Sequence, residues 1–192
     1  HFSFLPGHAI SEAASVLAGQ AIGARCEHQV RVVALRALLL AGGYAALCSI
    51  VFALAAPGFA AAFASDPEMA GVIVSLIHVS TLFLIADGAN LVARGILRGV
   101  GDVRFAAIAG IATAWALTPP TTWLLGEHFG MGAIGGWIGL SCEIILGAVI
   151  VWWRLLGGGW RRAAAEARAL QVTAAPPIGL AADGDELVRA AS

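Results

Sequence analysis

Five apolar runs separated by short polar breaks account for most of this chain. The first, about Phe2 to Ala24, is rich in Ala, Gly and Ser and is interrupted by His8, Glu12 and Gln20. A polar stretch with Arg25, Glu27, His28, Arg31 and Arg36 follows, then a nearly uniform apolar run up to Ala56, where Pro57-Gly58 is expected to halt the helix before a short Phe59–Phe63 extension. Ser65-Asp66-Pro67-Glu68 has the composition of a helix start, with a capping side chain, a proline in the first turn and an acid facing the positive end of the helix dipole. It opens a third run, to Leu97. A fourth run over Phe105–Leu125 contains Thr118-Pro119-Pro120-Thr121, where the loss of two backbone donors predicts a kink or break. A fifth ends at Trp152-Trp153-Arg154, an aromatic belt with a basic anchor.

A helix needs about 20 residues to cross the hydrocarbon core of a bilayer. The runs therefore predict five spanning helices, at about Leu5–Ala24, Arg31–Ala56, Pro67–Leu97, Phe105–Leu125 and Gly132–Leu156. The expected fold class is all-α, a polytopic membrane bundle over residues 1–156. A cytoplasmic tail over 157–192 is expected to hold a short helix near Trp160–Leu170 and then a disordered stretch with Pro176-Pro177 and the acids Asp183, Asp185 and Glu186.

Composition agrees: 59% of the 192 residues are hydrophobic and only 12% charged, and mean hydropathy is +0.86. A water-soluble domain has an apolar share nearer 45–50%. The net charge of −1 says nothing about partners, and no nucleic acid is expected. Cys26, Cys48 and Cys142 are too scattered for a disulfide or metal motif and read as buried fillers.

The position of the charges says more than their sum. Lysine is absent, and the arginines cluster around the ends of the first, third and fifth runs: Arg25, Arg31 and Arg36; Arg94, Arg98 and Arg104; Arg154, Arg161, Arg162, Arg168 and Arg189. By the positive-inside rule those ends are cytoplasmic, so the first run enters from outside and the C-terminus is cytoplasmic. An odd number of spans with an outside start, in a chain beginning with His1 rather than Met, predicts at least one further helix upstream.

Three carboxylates, Glu12, Asp87 and Glu143, fall near the middle of predicted spans with no basic residue expected at their depth. An ionised acid there costs at least about 2.5–3.5 kcal/mol, so each must be protonated, cation-bound or hydrated. Asp87 is the strongest candidate for an H⁺ or Na⁺ site. Helical spacing sets Phe83, Asn90 and Arg94 on roughly its face, and an aromatic, a carboxylate and an amide on one stripe suit a cavity for an organic cation. Glu12 and Glu143 are candidates to line the same interior, with the first and third helices close together.

Three segments resemble the multidrug and toxic compound extrusion (MATE) transporters. Asp87 followed by Gly95-Ile96-Leu97-Arg98-Gly99-Val100-Gly101-Asp102-Val103-Arg104 is similar to that family's D…G-x-L-R-G-x-G-D-x-R. The run from Ala14 to Ala24, ASVLAGQAIGA, resembles A-[ST]-x-L-V-G-Q-x-x-G-A, and Gly132-Ala133-Ile134-Gly135-Gly136-Trp137 resembles G-x-x-G-A-W. Their order and spacing match over about Leu5–Arg162. The resemblance implies the second of two six-helix bundles, without its own first helix and without the N-terminal half of the transporter. It further implies an inner-membrane antiporter, not an enzyme, that exports organic, often cationic, compounds against H⁺ or Na⁺ and uses no other cofactor. Asp87 and an aromatic at Phe83 would belong to the cation site. Arg98, Asp102 and Arg104 are expected to form an ion-pair cluster fixing the turn between the third and fourth helices, and Pro119-Pro120 to allow a gating bend.

Two other functions are weighed. Gly99-Val100-Gly101-Asp102 is the GxGD tetrapeptide of intramembrane aspartyl proteases, but Asp87 and Asp102 would stand about 20 Å apart along a helix, too far to share a proton. A lipid-linked oligosaccharide flippase or polysaccharide exporter of the same superfold would need basic residues for phosphate, whereas this interior holds acids.

Overall fold

The computed structural model describes residues 4–174. Six α-helices follow in order: α1 (Phe4–Gly23), α2 (Glu27–Phe63), α3 (Pro67–Gly99), α4 (Val103–Thr122), α5 (Gly132–Leu156) and α6 (Arg161–Ala174), with one π-helical segment at Trp123–His128 after α4. Among the described residues there is no strand, and the fold is that of an all-α bundle. By length and apolarity alone α2, α3 and α5 are able to cross a membrane. The 20-residue α1 and α4, each ~30 Å long, run beside them. The expected disordered tail lies outside the described residues.

Two boundaries differ from expectation. Pro57 does not end α2, which continues to Phe63. The Phe52 and Phe59 rings, 6.3 Å apart, flank the proline and hold its two sides together. Pro119-Pro120 likewise leaves α4 helical as far as Thr122, and the chain then widens into the π-helical segment. There the amide of Trp123 donates to the carbonyls of both Pro119 and Pro120, and Thr121 Oγ1 donates to the Leu117 carbonyl at 2.6 Å. The missing proline donors free the carbonyls of Trp115 and Ala116, and the bonds to Leu117, Pro119 and Pro120 tie the helix together across and just after that gap. Asp66 caps α3 as its sequence suggests, accepting from the Met69 amide at 2.7 Å.

α3 is the central helix, packed against α1, α2 and α5, while α4 lies outside α5. The α1–α3 seam is closest because it is built from small residues. A Cβ on Gly95 would stand 2.8 Å from the Ser11 carbonyl oxygen, and one on Gly99 would meet the Ser15 backbone. Ser11 Oγ donates across the seam to the Leu91 carbonyl at 2.8 Å. In lipid, where apolar surface gains little by leaving the tails, such close backbone contact and interhelical hydrogen bonds supply the association energy. α2 buries Ala34, Ala37, Ala41, Ala45 and Ser49 on one small-residue stripe and exposes Leu39, Leu40, Leu47 and Leu54 on the other face.

The arginine-bearing end is cross-linked. The α3–α4 turn passes through Gly101 at φ +91°, a conformation favoured by glycine, where the chain meets α6 at Ala167. Trp160 and Ala164 are 4% and 0% exposed, so α6 packs onto the bundle. Arg168 donates to the Ile22 carbonyl at the end of α1 at 3.0 Å, and with Arg161 it faces Glu27 at the start of α2.

The expected Arg98–Asp102–Arg104 cluster does not form. Asp102, 4% exposed, binds Arg154 Nε of α5 at 2.9 Å, and that guanidinium also lies 4.6 Å from the centre of the Phe105 ring. Arg98 instead pairs with Glu12 of α1 at 2.7 Å. Arg104 is exposed on the first turn of α4 and takes part in none of the ion pairs among the described residues. The turn is too tight to fold its own arginines back onto Asp102, and α5 delivers a guanidinium from outside it. None of the cysteines is the buried filler expected: Cys26 and Cys48 are half-buried and Cys142 is exposed.

Candidate functional site

Asp87 sits on α3 where that helix faces α1 and α2. It borders a cavity of about 20 Å³ lined also by Phe4, Gly7, Ala41, Tyr44, Ala45, Leu84, Gly88 and Leu91. That is room for about one water molecule or an ion of similar size, not for an organic compound. Gly88, Ala41 and Ala45 bring α2 close: a Cβ on Gly88 would stand 3.7 Å from the Ala41 carbonyl oxygen. Tyr44, the single tyrosine of the chain, is the polar neighbour that sequence spacing did not reveal, because it lies on another helix. The charged or titratable groups that Asp87 feels are His8 on α1, Arg94 on α3 and Glu143 on α5.

A larger cavity of about 270 Å³ adjoins this one, sharing Phe4 and Leu84. Its walls are Phe4, Phe52, Ile77, Ser80, Thr81, Phe83, Leu84 and Trp137, and Phe83 stacks on Trp137 with ring centres 5.7 Å apart. Aromatic faces with two hydroxyls and no basic side chain suit a flat, apolar or cationic organic molecule.

The residues expected around Asp87 are divided among three places. Phe83 lines the aromatic cavity. Asn90, 6% exposed, accepts from Arg94 Nε at 2.9 Å and points with it to α5, near Gly147. Glu143, 8% exposed, meets Thr113 Oγ1 of α4 at 3.1 Å. Glu12 is exposed, bound to Arg98, and borders neither cavity. The expectation that Asn90, Glu12 and Glu143 line one cavity with Asp87 is therefore corrected. A stripe on a central helix straddles two neighbours, so its members diverge: Asp87 toward α1 and α2, Asn90 toward α5. Nor is the interior without cations, since Arg94 reaches α4 and α5 from α3.

A family model described as MatE matches residues 1–124, about two thirds of the chain. The chain belongs to the MATE family. Relatives include "Probable multidrug resistance protein NorM" of Rhodopseudomonas palustris, 31% identical over 155 residues covering 79% of this chain and 33% of the relative. "Multidrug resistance protein NorM" of Burkholderia vietnamiensis is 32% identical, covering 79% and 34%. The crystal structure of the eukaryotic MATE transporter AtDTX14 superposes with a TM-score of 0.76 at 24% identity, over 85% of this chain and 36% of that one, a likeness of fold. The chain spans about a third of the length of the curated relatives it matches. Against this background the two longest MATE-like segments prove to be partners in space. The ASVLAGQ run of α1 and the GILRG run of α3 face each other across the seam, where Ser15 and Gly19 meet Gly99, and Ser11 just before the first run meets Gly95.

Proposed function

We propose that this chain is the C-terminal portion of a cation-coupled multidrug exporter of the cytoplasmic (inner) membrane, with Asp87 as the coupling carboxylate and the neighbouring aromatic cavity as part of the path of an organic, cationic substrate. The observation that carries this reading is the adjacency of the two cavities through Phe4 and Leu84. A single ion at Asp87 and an organic compound against Phe83 and Trp137 would share a wall. Binding of one is then able to reshape the place of the other. Because a ligand shifts an equilibrium only by its differential affinity for two states, H⁺ or Na⁺ at Asp87 must favour the conformation that has released substrate. The arginine-bearing ends and the C-terminus lie on the cytoplasmic side in this reading. The N-terminal half completes the substrate path, and Pro119-Pro120 with the π-helical segment is the place for a bend in α4. Arg98 and Asp102 act structurally in it, not in chemistry: Arg98 holds Glu12, and with Asp102 held by Arg154 no aspartate pair is available for proteolysis. The aromatic cavity has no basic wall for a lipid phosphate, which disfavours the flippase reading.

The test uses the full-length protein in proteoliposomes, with efflux of a fluorescent organic cation driven by an imposed H⁺ or Na⁺ gradient. Asp87→Asn is expected to reduce gradient-driven efflux at least tenfold while leaving gradient-independent substrate binding. Undiminished driven efflux would move the coupling site elsewhere.

A further inference from the structure

Outside the Asp87 cavity, a second buried acid has the surroundings of a group that changes charge. Glu143 is 8% exposed, and among the described residues none of the ion pairs includes it. Its neighbour Thr113 Oγ1 has three oxygens within hydrogen-bond distance: Ala109 O at 3.0 Å, Gly110 O at 3.2 Å and Glu143 Oε1 at 3.1 Å. One hydroxyl carries one hydrogen. If that hydrogen serves the helix carbonyls of α4, the Thr113–Glu143 contact needs a hydrogen from Glu143, which is then neutral. If Glu143 is ionised, Thr113 turns its hydrogen to the carboxylate, and the charge needs a counter-charge in reach.

Arg94 supplies one. Its guanidinium is seated between α3, α4 and α5 in a slot that exists because residue 110 is glycine: a Cβ there would stand 2.6 Å from Arg94 Nη1. A Cβ on Gly147, one turn after Glu143 on α5, would stand 3.6 Å from both Arg94 Nη2 and Thr113 Oγ1, and 3.4 Å from Asn90 Nδ2. Arg94, Asn90 and Thr113 thus converge on Gly147, one turn from Glu143, and of the three Thr113 reaches the carboxyl itself. Asn90 holds Arg94 there through a 2.9 Å hydrogen bond.

We propose that Glu143 is a proton-binding site of its own, taking up and releasing H⁺ inside the α3–α4–α5 interface. Thr113 accepts from its neutral form, and Thr113 and Arg94 stabilise its carboxylate. The step is a simple dissociation, in which the carboxyl O–H breaks, the electron pair stays on Glu143 and the proton leaves. The charged or titratable groups that face it from the packed elements are Asp87 and Arg94 on α3. α4 offers Thr113. The π-helical segment carries Glu127 and His128, both exposed near the other end of α5. On α5 itself Arg154 is engaged by Asp102. A proton site at Glu143 deepens the exporter reading and rests on it for its role in transport, giving the carrier a second proton-binding acid beside the coupling carboxylate.

Infrared difference spectroscopy of the full-length protein in lipid, titrated over a wide pH range, reads the carbonyl stretch of neutral carboxyl groups directly. The expected result is a buried-carboxyl band that disappears as pH rises, is absent in Glu143→Gln and persists in Asp87→Asn. Thr113→Val is expected to move that band to higher frequency, which supplies the assignment if Glu143→Gln fails to fold. A band set unchanged in Glu143→Gln, or unmoved by Thr113→Val where Glu143→Gln does not fold, would show Glu143 to be ionised throughout. A Glu143 band present at every pH would make it a fixed hydrogen-bond donor. Either overturns the proposal. Loss of the exporter reading looks different: coupled efflux undiminished in Asp87→Asn while the Glu143 band still titrates.

Discussion

The two ends of the bundle are built on opposite principles. At the arginine-bearing end, Asp102–Arg154, Glu12–Arg98, the Arg161 and Arg168 pairs with Glu27, the Arg168 bond to the Ile22 carbonyl and the buried Trp160 tie α1, α2, α3, α5 and α6 together. At the other end the helices meet through apolar and aromatic contacts, with Phe83 of α3 stacked on Trp137 of α5 beside a cavity whose walls also include Phe4 and Phe52. Charge pairs and hydrogen bonds are directional and hold one arrangement, whereas ring and alkyl contacts re-form after small shifts. A carrier hinged on such a molecule would keep its cross-linked end and rearrange its aromatic end.

The sharpest way to break this comparison is at the seam joining the two ends. Gly95→Leu in the full-length protein drives a side chain into the Ser11 backbone, and the expected loss exceeds the roughly 1–3 kcal/mol of ordinary overpacking, so that little monodisperse protein survives size-exclusion chromatography. A variant with unchanged yield and melting temperature would show the seam to be loose. Next comes Asp102→Ala, which strips Arg154 of its partner. The expected cost is about 2–3 kcal/mol, below the ~3–5 of a fully buried pair because Arg154 still reaches water, and a thermal-melting series with Arg154→Leu and the double variant measures it. Equal stability of all three variants and the parent would remove the pair from the account.

At the aromatic end the effect should fall on ligand instead of fold. Trp137→Ala is expected to leave the melting temperature within a few degrees of the parent while weakening binding of an aromatic cation roughly tenfold, about 1.4 kcal/mol. Unaltered affinity in equilibrium dialysis would place the substrate elsewhere. The smallest change is Glu12→Gln. Its pair with Arg98 is 61% and 48% exposed, so the expected loss is under about 1 kcal/mol and vanishes in high salt. A larger, salt-independent loss would restore Glu12 to the membrane interior.

What the sequence by itself determined is the set of helices and their chemistry. Apolar runs set the number of helices, Asp66-Pro67 marked the start of α3, and the glycine and serine positions of α1 and α3 already carried the family pattern. These are local properties, decided within a turn or two of chain. Which helix each side chain would face was decided only in three dimensions. Asp87, Asn90 and Arg94 share a stripe in the sequence, yet α3 lies among three neighbours, and the stripe parts between α2 on one side and α5 on the other. Asp102 found Arg154, 52 residues away, in preference to the arginines beside it, and Glu143 found Thr113 at a distance of 30 residues. Prolines that read as breaks were absorbed, because ring contacts and a threonine hydroxyl stabilise the helix across them. Periodicity specifies a face but not its neighbour, and in a bundle of apolar helices the neighbour decides whether a carboxylate is an ion-pair partner, a hydrogen-bonded acid or the wall of a cavity.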